Sequence, residues 1–308
     1  MKPNLLTFLH QGFAQVKKYG LELLYWRYIY RLIVLTKSPI TCPPDSKLEV
    51  HVQICRRDWL NGLWTLRSFS IFSQQPFRLV LLHDGWLDNE SYVVHWYLKQ
   101  FPGVITYKRN SLLSRVKTEI HPESPSLARL WEDGSYFTLP KVIDSFLLST
   151  NQCYLQLDPD VLFFDYPYDL LMSLTQLNDQ SSCWNLPNDK GHADGLFCFT
   201  PEEIATCGYQ VPVPFQIGLG SVNKTKFDWN LADQVFSTLS IPATLKFMVD
   251  QTFFALMAAK HGFIPLPKQK YAVDPVTSLE GIVARHYYGK TRDLMYIEGL
   301  KKLSQVKK

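Results

Sequence analysis

Apolar and polar positions in the first half of the chain switch repeatedly between strand-like runs and helical spacing. Leu48 to Cys55 predicts a strand, and Trp59 to Ser73 then carries Leu60, Leu63, Trp64, Phe69 and Phe72 at helical intervals. Phe77 to His83 predicts a second strand closed by Asp84-Gly85, Asp88 to Phe101 a second helix, and Val104 to Tyr107 a third strand. That order, β-α-β-α-β, implies parallel strands joined by crossover helices.

After a loop-like stretch from Pro122 to Arg129, helical character resumes over Tyr136 to Ser149. A fourth strand follows. Its apolar run, Tyr154-Leu155-Gln156-Leu157, stops at Asp158-Pro159-Asp160 and resumes as Val161-Leu162-Phe163-Phe164. Residues two apart on an extended chain point the same way, so both carboxylates can face one spot. Pro159 has no N–H for a sheet ladder and marks the place where pairing stops. Ligands of open α/β sheets gather beyond the carboxyl ends of strands, and two acids there repel unless a cation sits between them. A hard divalent ion, Mn2+ or Mg2+, suits such oxygen ligands. The bland alternative is a pair of solvated turn acids.

The second half is less regular. Gly195 to Thr200 and Phe215 to Val222 read as strands, and Pro201-Glu202-Glu203 opens a short helix with acids in its first turn. Val249 to Lys260 predicts a helix that Gly262 ends.

Near the N-terminus, Leu21 to Leu35 places Leu21, Leu24, Tyr25, Tyr28, Leu32 and Leu35 on one helical face, with Arg27 and Arg31 one turn apart on another. Such a stretch is too short and too charged to span a bilayer comfortably. It suits an interfacial helix on an anionic membrane, with residues 13–37 in contact and Lys17, Lys18 and Lys37 adding charge. A helix packed on the main domain or on a partner subunit fits the pattern equally. Ser38-Pro39 to Pro43-Pro44-Asp45 reads as a linker, which divides the chain into residues 1–45 and a main domain at 46–308.

At 308 residues the chain can bury a substantial core, and 32 basic against 28 acidic side chains is too slight an excess to indicate a nucleic-acid binder. Cys42, Cys55, Cys153, Cys183, Cys198 and Cys207 show no metal-ligand spacing, several within apolar runs. With no secretory signal in the first twenty residues, the expectation is a reducing, cytoplasmic setting, peripheral on the inner face of a membrane if the first helix docks there.

An α/β half of nucleotide-binding size, an acid-x-acid at a strand end and a mixed second half resemble the GT-A class of nucleotide-sugar glycosyltransferases over roughly residues 46–298. Asp158-Pro159-Asp160 is similar to the DxD element of that class. Val249-Asp250-Gln251-Thr252-Phe253-Phe254 resembles the Asp-Gln helix start of the retaining family that includes glycogenin and galactinol synthase. His286-Tyr287-Tyr288-Gly289-Lys290-Thr291-Arg292 resembles its closing His-x-x-Gly-x-x-Lys element, with Arg292 in the place of the lysine. The family's acceptor-side Asn-x-Gly-hydrophobic stretch is only echoed by Gln216-Ile217-Gly218-Leu219, and Asp293-Leu294 stands where a tryptophan is usual.

The resemblance implies a GT-A fold: a mostly parallel nucleotide-binding sheet flanked by helices, with a smaller mixed acceptor-side region. It implies transfer of a sugar from a nucleotide diphosphate sugar, a uridine diphosphate sugar being expected, to a glycan or lipid-linked acceptor. Asp158, Asp160 and His286 would hold Mn2+ or Mg2+; Lys290, Arg292 and Lys141 would meet the donor's phosphates, although Lys141 also reads as an exposed helix lysine. Arg56, Asp58 and Asp84, after the first two strands, are candidates for the nucleoside. Asp250 and Gln251 are the candidate catalytic pair. Their pattern resembles retaining chemistry, whereas inversion would need Asp250 or Asp194 as a base. Two readings compete with transfer: an aspartate-nucleophile phosphatase opened by Asp158 and Asp160, and a non-catalytic, membrane-associated scaffold of the same fold. A sugar nucleotidyltransferase would need a glycine-rich loop where Cys55-Arg56-Arg57-Asp58-Trp59 stands.

Overall fold

The computed structural model describes residues 19–89, 91–187 and 197–306, without the side chain of Lys290. Its α/β core is a six-stranded sheet built from β1 (Glu49–Ile54), β2 (Arg78–His83), β3 (Cys153–Leu157), β5 (Ser182–Trp184), β6 (Leu219–Asn223) and β7 (Phe263–Pro265), in the order β2-β1-β3-β6-β5-β7. β1 pairs in parallel with β2 and β3, β7 in parallel with β5, and β6 runs antiparallel between β3 and β5. A second, three-stranded sheet joins β4 (Val161–Phe163), β9 (Ala284–His286) and β8 (Tyr271–Ala272) in that order. The expected mostly parallel sheet with a smaller mixed region is the architecture found.

β1 and β2 are buried along their whole length; β2 is continuously apolar from Leu79 to Leu82, whereas β1 alternates Val50, Val52 and Ile54 with buried Glu49, His51 and Gln53. Two apolar clusters flank the main sheet. One takes Val50, Val52, Leu155 and Leu157 together with Leu63, Leu66 and Phe69 of helix α1 (Trp59–Ser73). The other takes Tyr154 and Val222 with side chains of the helix over Val249–His261. Leu155 and Leu157 thus share one side and Tyr154 the other, as strand period requires.

Several expected elements are shorter. The third strand contracts to a single parallel bridge, Val80 with Ile105, so the strand carrying the acids is β3. Helix α2 covers only Tyr92–Lys99, after a short 3-10 turn at Trp86–Asp88. Tyr136 to Ser149 is broken at its centre into a 3-10 turn, Leu139–Lys141, and helix α3, Ile143–Leu148, because Pro140 cannot continue a regular helix. Phe197 to Phe199 is not a strand, and Gly195 lies outside the described residues. The helix from Pro201 forms over Pro201–Thr206 with the Thr200–Glu203 capping box.

The first segment is helical through residue 24 and continues as a π turn, Tyr25–Ile29, and a 3-10 turn, Tyr30–Thr36. It packs on α1 and on the helical residues after β9: Arg31 O accepts from Trp64 Nε1 at 3.0 Å, Arg27 pairs with Asp293 at 3.0 Å, and Lys301 with Glu22 at 2.7 Å. The proline-rich stretch beyond it is irregular but tied down, Ile40 N donating to Gln100 O and Cys42 N to Pro102 O, each at 2.8 Å. All six cysteines are free.

Candidate metal site

β3 ends at Leu157, and Asp158 N donates to Gly218 O at 2.7 Å, just before β6 begins. The chain turns at Pro159 and re-enters extended structure as β4. β4 pairs antiparallel with β9 so that Val161 stands opposite His286, and Tyr287 N donates to Asp160 O at 2.8 Å. This register, between distant parts of the chain, delivers the imidazole to the acids. His286 Nε2 lies 3.2 Å from Asp160 Oδ1 and 3.5 Å from Asp158 Oδ2, and one ligand atom from each of the three residues falls within 4.8 Å of the others.

Each carboxylate turns one oxygen to the imidazole and the other to a side-chain cation. Lys141 Nζ is 2.6 Å from Asp158 Oδ1 and 3.2 Å from Asp250 Oδ2, at the start of helix α4 (Val249–His261). Arg292 grips Asp160 Oδ2 through Nη2 at 2.7 Å and Nε at 3.2 Å, and reaches Asp58 Oδ1 with Nη1 at 3.2 Å. Lys141 is therefore not an exposed helix lysine.

Charge and burial oppose one another here. Burial pushes the Asp160 carboxyl up, but His286 and Arg292 outweigh it and hold the group well below the usual carboxylate range. Burial disfavours a charged Lys141, yet Asp158 and Asp250 together raise its pKa above the ordinary lysine value. Asp250 moves up, because its own burial and the charge of Asp158 exceed the help it receives from Lys141.

Two carboxylate oxygens and an imidazole nitrogen make a donor set suited to Mn2+ or Mg2+. The packing leaves room for that imidazole. A Cβ on Gly218 would overlap the His286 ring, so only glycine lets β6 approach it this closely.

Two adjoining cavities, about 150 and 410 Å³, open onto these groups and share Arg57, Lys141, Asp158, Asp160 and Arg292. Gln53 and Cys55 line the smaller; Gln216, Phe247, Asp250, Gln251 and Tyr288 line the larger. Gln251 Nε2 donates to Phe215 O at 3.0 Å. Arg56 is exposed and Asp84 accepts from Trp86 N at 3.3 Å; neither lines these cavities, whereas the neighbouring Arg57 does. The Lys290 side chain and Asp194 lie outside the described residues. Gly218 and Arg57 had no individual signal in the sequence, although Gly218 stands in the echoed acceptor-side stretch.

No family model matches the chain, and no curated protein matches it. Solved structures do. Mouse xyloside xylosyltransferase 1 is 13% identical, with 82% of this chain and 98% of that one covered, at a TM-score of 0.48. The galactosyltransferase LgtC, solved with donor and acceptor sugar analogs, is 13% identical over 83% and 95%, at 0.44. The mannosyltransferase Ktr4p from S. cerevisiae is 11% identical over 78% and 74%, at 0.38. All three are glycosyltransferases, the class named by the sequence resemblance, but likeness of this grade assigns this chain neither a substrate nor a reaction.

Proposed function

We propose that the chain is a divalent-cation-dependent glycosyltransferase that moves a sugar from a nucleotide diphosphate sugar, a uridine diphosphate sugar in the first instance, to a glycan or lipid-linked acceptor, with retention at the anomeric carbon. One observation carries this reading: Asp158, Asp160 and His286 converge on the wall of a cleft, and each acid keeps one oxygen turned towards the imidazole while a fixed cation holds the other.

Glycosyl transfer breaks an anomeric carbon–oxygen bond as a nucleoside diphosphate departs, through an oxocarbenium-like transition state. Mn2+ or Mg2+ held by Asp158, Asp160 and His286 would supply positive charge where the leaving diphosphate gathers negative charge. Arg292 and Lys141 orient the carboxylates and present fixed cations to the same oxygens, without reorganisation during the reaction. The smaller cavity, beyond the ends of β1 and β3, suits the nucleoside; the larger, with Asp250, Gln251, Phe247 and Tyr288 on its wall, suits the transferred sugar and acceptor. Asp250 is engaged by Lys141 and is poorly placed to act as a free base, which favours a route in which the leaving phosphate takes the acceptor proton. The phosphatase alternative leaves His286 without a task.

A thermal-shift screen of nucleotide sugars with and without Mn2+ tests the proposal. Stabilisation by one uridine diphosphate sugar only when Mn2+ is present is expected, followed by an α-linked product from an α-linked donor. Equal stabilisation after chelation, or metal-dependent release of phosphate from an aryl phosphate that survives His286→Ala, would remove it.

A further inference from the structure

The first helical segment buries Leu23, Trp26 and Val34 against the body and turns the opposite side outward. On that outer side Leu21 is 74% exposed, Tyr25 46%, Tyr28 46% and Leu32 45%, spaced four, three and four residues apart, with Ile29 beside them at 60%. Among the described residues the other large exposed hydrophobics are sparser along the chain, the largest local group being Tyr166, Tyr168 and Met172. The outward stripe is held in place from beneath by the contacts to Trp64, Asp293 and Lys301. It is a fixed face.

Charge decides what that face meets. Residues 1–37 and 293–308, the two terminal segments whose described parts pack together, contain ten of the 32 basic side chains and three of the 28 acidic ones. Their net charge is +7, which leaves −3 for residues 38–292. A second copy of this chain would bring like charge to like charge, whereas an anionic lipid surface would accept both the charge and the apolar stripe. Tyrosine, apolar in its ring and polar at its tip, suits the headgroup layer. No described helix is long and apolar enough to cross a membrane. Next to the segment, a cavity of about 360 Å³ is lined by Tyr30, Lys37, Trp64 and Arg67, and Arg67 Nε is buried there without a hydrogen-bond partner.

We propose that this face seats the protein on an anionic lipid bilayer, with Leu21, Tyr25, Tyr28, Ile29 and Leu32 in the headgroup layer and the net positive charge of the terminal sequences favouring the anionic surface. The inference does not depend on the reaction proposed for the cleft.

Co-sedimentation of the full chain with phosphatidylcholine vesicles, with and without phosphatidylglycerol, tests it. Salt-sensitive binding to the anionic vesicles alone is expected, and the double variant Leu21→Glu/Ile29→Glu should weaken it at least about tenfold with an unchanged melting temperature. Should that variant misfold, Tyr28→Ser supplies a milder change on the same stripe and should still weaken binding measurably. Equal binding to neutral vesicles, no binding, or binding indifferent to substitutions in a folded variant would overturn the proposal. So would a lipid-free dimer that the same substitutions dissolve, since it would make a second copy the occupant.

Discussion

A Cβ added to Gly218 would lie 1.9 Å from Cε1 of His286, so the strand that flanks the acids and the histidine that joins them fit together only because residue 218 has no side chain. Gly218→Ala must displace the ring or move β6. Ring displacement is the easier response, because the other ring nitrogen, Nδ1, has no hydrogen-bond partner. The expected result is a loss of about 10–100-fold in Mn2+ affinity, the range seen when groups supporting a metal ligand are disturbed. Titration followed by electron paramagnetic resonance measures it, with circular dichroism as the check on folding. Unaltered affinity in a folded variant would take His286 out of the ligand set.

Lys141 stands between two acids, Asp158 and Asp250, that would otherwise face each other across a buried site. Lys141→Met leaves both without a cation, and breaking a buried pair in this way costs on the order of 3–5 kcal/mol. The variant should melt lower, and Mn2+ should raise its melting temperature by more than it raises that of the wild type, because the ion replaces part of the missing charge. Differential scanning fluorimetry with and without Mn2+ checks both expectations. A melting temperature equal to that of the wild type would mean that the acids do not depend on this lysine.

The β-α-β opening was legible because β1 alternates Val50, Val52 and Ile54 with polar residues, β2 is an apolar run, and a helix with ordinary apolar spacing separates them. Val104 to Tyr107 was not, since a single bridge at Ile105 leaves an apolar run that pattern alone cannot distinguish from a strand. The acid pair stood out through Pro159, which stops the ladder. His286 could be matched to it only through a resembled motif, because the pairing of β4 with β9 is a long-range contact without a local signature. In the first segment Leu21, Tyr25, Tyr28 and Leu32 of the expected stripe face outward, whereas Leu24 is half-buried and Leu35 packs on the core; Leu23, Trp26 and Val34 do most of the packing, and periodicity does not say which of two apolar sides is covered.

Arg292 is the one position in the closing motif where the residue type departs from the resembled family, and its geometry uses the difference. The planar guanidinium holds Asp160 through Nε and Nη2 while Nη1 reaches Asp58, a fixed three-nitrogen fork that a lysine's compact ammonium does not reproduce. Arg292→Lys should therefore weaken uridine diphosphate binding in the presence of Mn2+ by about tenfold, roughly the loss of one charge-assisted hydrogen bond. Arg292→Ala should weaken it further. Calorimetry distinguishes the two, and full affinity in the alanine variant would exclude this residue from the diphosphate site.

At the opposite end of β1, Glu49, His51 and Arg78 form a buried charged group. His51 Nε2 is 2.6 Å from Glu49 Oε1, Arg78 Nη1 is 2.7 Å from Oε2, and Thr150 Oγ1 donates to Oε2 at 2.8 Å. Burial raises the Glu49 pKa, but the hydrogen bonds it accepts, that from His51 first among them, outweigh this and hold it at about 2, against an ordinary 4.5. Burial also keeps the His51 pKa below its ordinary 6.5, so the ring is neutral near pH 7 and donates Nε2–H to the carboxylate. Both shifts act in the same direction. Below pH 6.5 the unfolded chain takes up a proton that the buried ring refuses, and between pH 4.5 and 2 it takes up one that the folded Glu49 refuses. Stability should begin to fall near pH 6.5 and fall more steeply below 4.5, with Glu49 contributing on the order of 3 kcal/mol across its window. Denaturant unfolding of the wild type and Glu49→Gln at matched pH isolates that part: the wild type's advantage should shrink as pH drops from 4.5 towards 2. A gap that stays constant over this range would mean that the carboxylate is not held ionised by its neighbours.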